Sequence, residues 1–115
     1  MESKPVPLPH LTRAATAFAA LGSEARLSIL RRLVRAGRAG LPIGQLGEDV
    51  GVTGSVLTHH LKHLVLAGLI EQRREGRRIL CSVVIAEVQA LSDFLVAECC
   101  ADQGAAPQPG DRSDG

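Results

Sequence analysis

"GVTGSVLTHHLKHLVLAGLI" (Gly51–Ile70) places Leu57, Leu61 and Leu64 at i, i+4 and i+7, the spacing of one helical face. That face must look into a core, which leaves Thr53 at the helix entrance and Ser55, His59 and Lys62, with His63 beside them, on the opposite side. Short hydroxyls and donors near a helix N-terminus suit contact with nucleic acid, because the first backbone N–H groups there also favour phosphate. Gly68 stops the helix, and the period then changes. "LIEQRREGRRILCSVV" (Leu69–Val84) has β-type residues on either side of a turn centred on Glu75-Gly76 and predicts a hairpin. Four arginines crowd its tip: Arg73, Arg74, Arg77 and Arg78. Like charges at one tip repel, so an external anion explains them better than the fold does; arginine there suits phosphate or the minor groove. Arg77, beside the turn, is the strongest candidate. For both segments the bland alternative is a solvated polar face.

Upstream, "LPIGQLGEDVGV" reads as a short helix around Ile43, Leu46 and Val50. "SEARLSILRRLVRAG" opens with Ser23 as an N-cap, turns Leu27, Leu30, Leu33 and Val34 inward, and stops at Gly37. "HLTRAATAFAALG" is an Ala-rich helix with Leu11, Ala15, Phe18 and Leu21 near one stripe. Downstream, "IAEVQALSDFLVAECCAD" returns to helical spacing through Val88, Leu91, Phe94 and Leu95. The order is α-α-α-α-β-β-α, a mostly helical fold with a small β-hairpin: a winged helix-turn-helix. Residues 1–9, with three prolines, read as a flexible arm, 10–102 as the winged helix-turn-helix DNA-binding domain, and 103–115 as a disordered tail.

At 115 residues the chain supports one modest core, and with two Phe and neither Trp nor Tyr that core is thin enough to gain from a permanent partner surface. A net charge of +1 argues against a simple polycation, so any nucleic-acid role must rest on local patches. No apolar run is long enough to span a bilayer, and "MESKPVPLPH" lacks a signal-peptide core. Three cysteines fit no secreted disulfide framework. A cytoplasmic protein with reduced thiols is expected, with no membrane partner. It is not expected to be an enzyme: no Ser-His-Asp, paired-carboxylate or phosphate-loop arrangement is present.

"LGSEARLSILRRL", "TGSVLTHHLKHLVLAGLIEQRREGRRILCSV" and the closing helix together resemble the ArsR-type (arsenic-responsive) winged-helix repressors over about residues 12–101. The most specific elements are "LTHHLKHLVLAGLI" and "RREGRR" at their present spacing. The resemblance implies a homodimer joined through the first and last helices, gripping an inverted-repeat operator and releasing it when a toxic metal or metalloid binds. It requires no cofactor beyond that inducer.

Members of that family hold the inducer in different places. The Cys-x-Cys box before the recognition helix is absent here, since "LPIGQLGED" has no cysteine. A zinc site on the last helix is not expected either: Glu87, Asp93 and Glu98 are present without a histidine. The remaining candidates are Cys99 and Cys100, at a point where some members carry a Cys-Cys pair, and Cys81. Neighbouring side chains on a regular helix diverge by roughly 100°, so two adjacent thiols can share a ligand only where the helix yields. Two thiolates suit soft trivalent arsenic or antimony better than zinc, which takes four ligands. A methylated trivalent arsenical has two exchangeable groups, whereas arsenite has three. Methylarsenite is therefore the favoured inducer of an arsenic-resistance operon repressor, with arsenite or antimonite close behind. Cys81 shares a row with Ile79 and Val83 and is either a third ligand or a small buried hydrophobe. The alternative for the whole chain is a winged-helix DNA-binding or interaction protein that is ligand-insensitive or redox-responsive.

Overall fold

Five α-helices and a three-stranded sheet make up the computed structural model, which describes residues 8–104. Helices α1 (Leu8–Ala20) and α2 (Glu24–Ala36) lead through a 3-10 turn at Gly37–Ala39 to strand β1 (Leu41–Pro42), α3 (Ile43–Val50) and α4 (Gly54–Leu66). Strands β2 (Ile70–Glu75) and β3 (Arg78–Val83) form the hairpin, α5 (Ile85–Val96) follows, and a 3-10 turn spans Ala101–Gln103. The helix-turn-helix and the wing stand where the sequence puts them. Helix α1 already includes Leu8 and Pro9, so it begins inside the segment read as an arm; the rest of that arm, and the tail from 105 onward, lie outside the described residues.

Local chemistry sets the helix ends. Ser23 is extended and its hydroxyl accepts the Arg26 N–H at 3.3 Å, an N-cap typically worth about 1 kcal/mol. At the other end of α2 the Gly37 N–H reaches back to the carbonyls of Leu33 and Val34.

The sheet order is β1-β3-β2, antiparallel throughout. Leu41 pairs with Cys81 and Pro42 with Leu80, while the hairpin runs from Ile70–Val83 to Glu75–Arg78. The tip is therefore Gly76-Arg77, one residue later than the sequence suggests, with Gly76 at φ 61°. Strand β1 was not foreseen: two residues, one a proline confined to a sheet edge, carry no periodicity. Its presence makes β3 the central strand, so Leu80, Cys81, Ser82 and Val83 are all buried and the expected alternation is not visible there.

The core joins Ile29, Leu30 and Leu33 of α2, Leu46 of α3, and Leu57, Leu61 and Leu64 of α4 to Leu69, Ile70, Cys81 and Val83. The α4 face is as expected, but three other faces need correction. On α2 the inward set is Ile29, Leu30 and Leu33, with Leu27 and Val34 exposed. On α1 the alanines Ala14, Ala17 and Ala20 face inward, and Leu11 (47% exposed) and Ala15 face out. On α5 Val88 and Leu91 pack on the core and Phe94 is half-buried, but Leu95 is 67% exposed. An apolar-rich helix offers two adjacent stripes of similar spacing, and its neighbours decide which one turns inward.

Two glycines admit close approaches. A Cβ on Gly47 of α3 would stand 2.7 Å from the Val52 carbonyl oxygen and 3.0 Å from Leu57 Cδ2, so glycine lets α3 close onto the turn and α4. Gly40 has φ 74°, and a Cβ there would collide with the Cys81 carbonyl. Helices α2 and α3 are also tied by Arg32 Nε to Asp49 Oδ2 at 3.0 Å, and Asp49 takes a second bond from Gln45 within α3 at 2.8 Å. The Gln45 hydrogen bond, then the Arg32 guanidinium, holds the Asp49 carboxyl below its ordinary range. No helix among the described residues is long and apolar enough to cross a membrane.

Candidate nucleic-acid interface and terminal dithiol

With Leu57, Leu61 and Leu64 committed to the core, α4 leaves Thr53, Ser55, His59, Lys62 and His63 exposed. Thr53 occupies the N-cap position with an extended backbone, yet its side chain makes no capping bond, so the hydroxyl is available to a ligand. Thr58 Oγ1 instead donates to the Gly54 carbonyl at 3.3 Å. The His59 ring lies edge-on to His63, with centroids 4.7 Å apart. Two features were missed in the sequence. Val56 is 55% exposed among these polar residues; its signal is an apolar side chain just off the leucine stripe. Arg26 donates from Nε to the Ala20 carbonyl at 2.6 Å and from Nη1 to His60 Nδ1 at 3.2 Å, tying α4 to the end of α1. Arginine only donates, so Nδ1 of His60 is the acceptor and the ring proton sits on Nε2. Partial burial, then the neighbouring Arg26 charge, lowers the His60 pKa below its ordinary value. Local spacing gives no signal for this tie, because the Arg26 partners lie six and thirty-four residues along the chain.

At the wing all four arginines are exposed but not equivalent. Glu75 takes Arg73 Nε at 3.6 Å and Arg78 Nη2 at 3.8 Å, and Arg73 also donates to the Ala39 carbonyl at 3.5 Å. Arg74 and Arg77 have no ion pair among the described residues. Arg77 sits in the turn itself, the position from which a guanidinium reaches furthest.

The cysteines separate into two environments. Cys81 has no exposed surface, lies in the core, and accepts from Gln72 Nε2 at 3.5 Å. Burial pushes its thiol pKa up, partly opposed by the Gln72 bond. Cys99 and Cys100 are exposed, and their Sγ atoms are 3.3 Å apart. They do not end α5 as expected: the helix stops at Val96, and both lie in the turns that follow. Cys100 has φ 63°, so the regular helical divergence does not apply and the two thiols converge. The adjacent Cys100 thiol raises the pKa of Cys99. No cluster of three or more His, Cys, Asp or Glu able to hold a metal ion occurs among the described residues, so Cys81 is not brought to the pair.

Between α1 and α5 an open groove of about 890 Å³ is lined by His10, Arg13, Leu66, Phe94 and Glu98, among others. The Arg13–Glu87 ion pair at 3.2 Å spans it.

A helix-turn-helix domain profile matches residues 21–73. The HTH-type transcriptional regulator NmtR of Mycobacterium tuberculosis is 34% identical over 92 residues, covering 79% of this chain and 73% of NmtR. An ArsR-like transcriptional regulator from Rhodococcus sp. RHA1 superposes with a TM-score of 0.70 at 28% identity, over 84% of this chain and 88% of that one. The chain belongs to the ArsR family. An uncharacterised HTH-type regulator of Bacillus subtilis, YceK, is 37% identical over 60 residues, a match spanning 52% of this chain and 59% of that protein. The homodimeric winged helix-turn-helix DNA-binding domain of Mb0332 from Mycobacterium bovis matches at TM-score 0.62 and 25% identity, over 86% of this chain and 93% of that one. This ArsR-family chain is thus a winged helix-turn-helix DNA-binding regulator and not an enzyme.

Proposed function

We propose that this regulator represses an arsenic-resistance operon and leaves its operator when a trivalent arsenical bridges Cys99 and Cys100. In this reading α4 enters the major groove with Thr53, Ser55, His59 and Lys62, while Arg74, Arg77 and Arg78 hold the flanking backbone or minor groove. The domain spans about residues 10–102, and two copies join through α1 and α5, whose outward sides carry the exposed Leu11, Leu95 and Val96. An inverted-repeat operator follows from that two-fold symmetry.

The observation that carries the reading is the 3.3 Å approach of two exposed sulfurs on one chain. Methylarsenite has two hydroxyls; each leaves as water on taking a thiol proton, and two As–S bonds replace two As–O bonds. Arsenite keeps a third exchangeable position, and Cys81, fully buried in the core, is poorly placed to fill it. Drawing both sulfurs onto arsenic reshapes the turn directly after α5 and so loosens the subunit contact that holds the two reading heads in register. Free thiols of this kind belong in a reducing cytoplasm.

The test is release of the promoter-proximal operator, followed by fluorescence anisotropy as methylarsenite is added. Wild type and Cys81→Ser should release the DNA at near-stoichiometric arsenical, while the Cys99→Ser/Cys100→Ser variant stays bound. Release by the double variant at the same concentration ends the assignment.

A further inference from the structure

We propose that Cys99 and Cys100 also close into a reversible disulfide within one chain when the protein meets a peroxide, giving the dithiol an open, chelating state and a closed, inert one. Three observations support this. The two Sγ atoms, at 3.3 Å, are already closer than a non-bonded sulfur pair ordinarily approaches, and no other cysteine is brought to them. Cys100 is the one non-glycine residue among those described with a positive φ (63°), a local conformation of the kind that persists where function requires it. Both thiols are exposed in turns past the end of α5, so closure disturbs no core packing and both oxidant and reductant reach the sulfurs.

The chemistry balances with hydrogen peroxide alone. One thiolate attacks a peroxide oxygen; the O–O bond breaks, a water leaves and a sulfenic acid remains. The neighbouring thiol then attacks that sulfur, the S–O bond breaks, and a second water leaves as the S–S bond forms. Two thiols are oxidised by two electrons and one peroxide is reduced to two waters. Glu98 and Asp102 line the same surface hollow as Cys100, which favours a neutral oxidant over anionic disulfides. A disulfide between chain neighbours departs from ordinary disulfide geometry, and strained, exposed disulfides are readily reduced; such a bond serves as a switch and not as a staple.

The regulatory meaning rests on the inducer reading above: the closed pair has no thiolate to offer arsenic, so the oxidised chain cannot take up the inducer until a thiol reductant reopens it. The chemistry itself is testable without any arsenical. Reduced full-length protein is treated with one equivalent of hydrogen peroxide, then assayed by intact mass, by thiol titration in denaturant and on a non-reducing gel. The expected product has lost two hydrogens, titrates one thiol in place of three, migrates as a single chain and regains its thiols with dithiothreitol; Cys81→Ser goes from two thiols to none. Covalent dimers, or oxygen added to the mass without loss of the pair, overturn the proposal. A second arm adds phenylarsine oxide as a probe arsenical. Disulfide formation with no arsenical effect on DNA would leave this inference standing and defeat the inducer reading; arsenical release with only oxygenated or cross-linked products would do the reverse.

Discussion

Arg77 and Arg73 carry the same charge four residues apart, yet the fold gives them different freedom. Arg73 is engaged by Glu75 and the Ala39 carbonyl, whereas Arg77 projects from the turn without an ion pair among the described residues. Arg77→Ala should weaken operator and unrelated DNA alike and reduce the slope of log K against log salt by about 0.9, one phosphate contact. Arg73→Ala should change that slope less, and anisotropy titrations across a salt series compare the two. At His60 the sign of the pH effect follows from its lowered pKa. The unfolded chain takes up the His60 proton at a higher pH than the native one, so stability is fully present above the ordinary histidine value. It falls as pH drops toward the lowered native one. Urea midpoints at pH 7.5 and 5.5 should show this loss, and His60→Gln should lessen it.

Among the elements, the α3–turn–α4 unit was the most legible, because leucines at helical spacing meet glycines at the breaks. The β1 contribution was hidden, and it depends on Gly40. With φ 74° and no room for a Cβ against the Cys81 carbonyl, Gly40→Ala should destabilise the fold by at least about 1–3 kcal/mol. Gly44 is a useful contrast: it lies in α3, nothing stands within 4 Å of its Cβ direction, and its φ is not positive. Gly44→Ala should be neutral or stabilising by up to about 1 kcal/mol. Chemical denaturation of both variants checks the pair, and equal effects would mean that the Gly40 backbone relaxes freely.

At the scale of the molecule, the corrected faces of α1 and α5 share one cause. A single chain cannot bury both stripes of either Ala-, Leu- and Val-rich end helix, and Leu11 on α1 and Leu95 and Val96 on α5 are left exposed. In a dimer joined there, Leu95→Glu should shift sedimentation toward the monomer. Affinity for the full inverted repeat should drop by at least about tenfold, since the second half-site no longer adds avidity. Binding to an isolated half-site should hardly change. Undiminished dimerisation in that variant would mean that the subunits meet elsewhere.

The order of elements, the recognition-helix face of Leu57, Leu61 and Leu64, the arginine-bearing wing and the Ser23 cap were all legible along the chain, because each rests on interactions among near neighbours. Four things were not: which stripes of α1, α2 and α5 turn inward, the third strand at Leu41–Pro42, the Arg26–His60 tie, and the convergence of Cys99 with Cys100. The first three depend on residues distant in sequence meeting across the core, and local spacing is silent about which of two equivalent faces a neighbour covers. The last depends on one backbone angle, the positive φ of Cys100, which decides whether adjacent thiols diverge or meet.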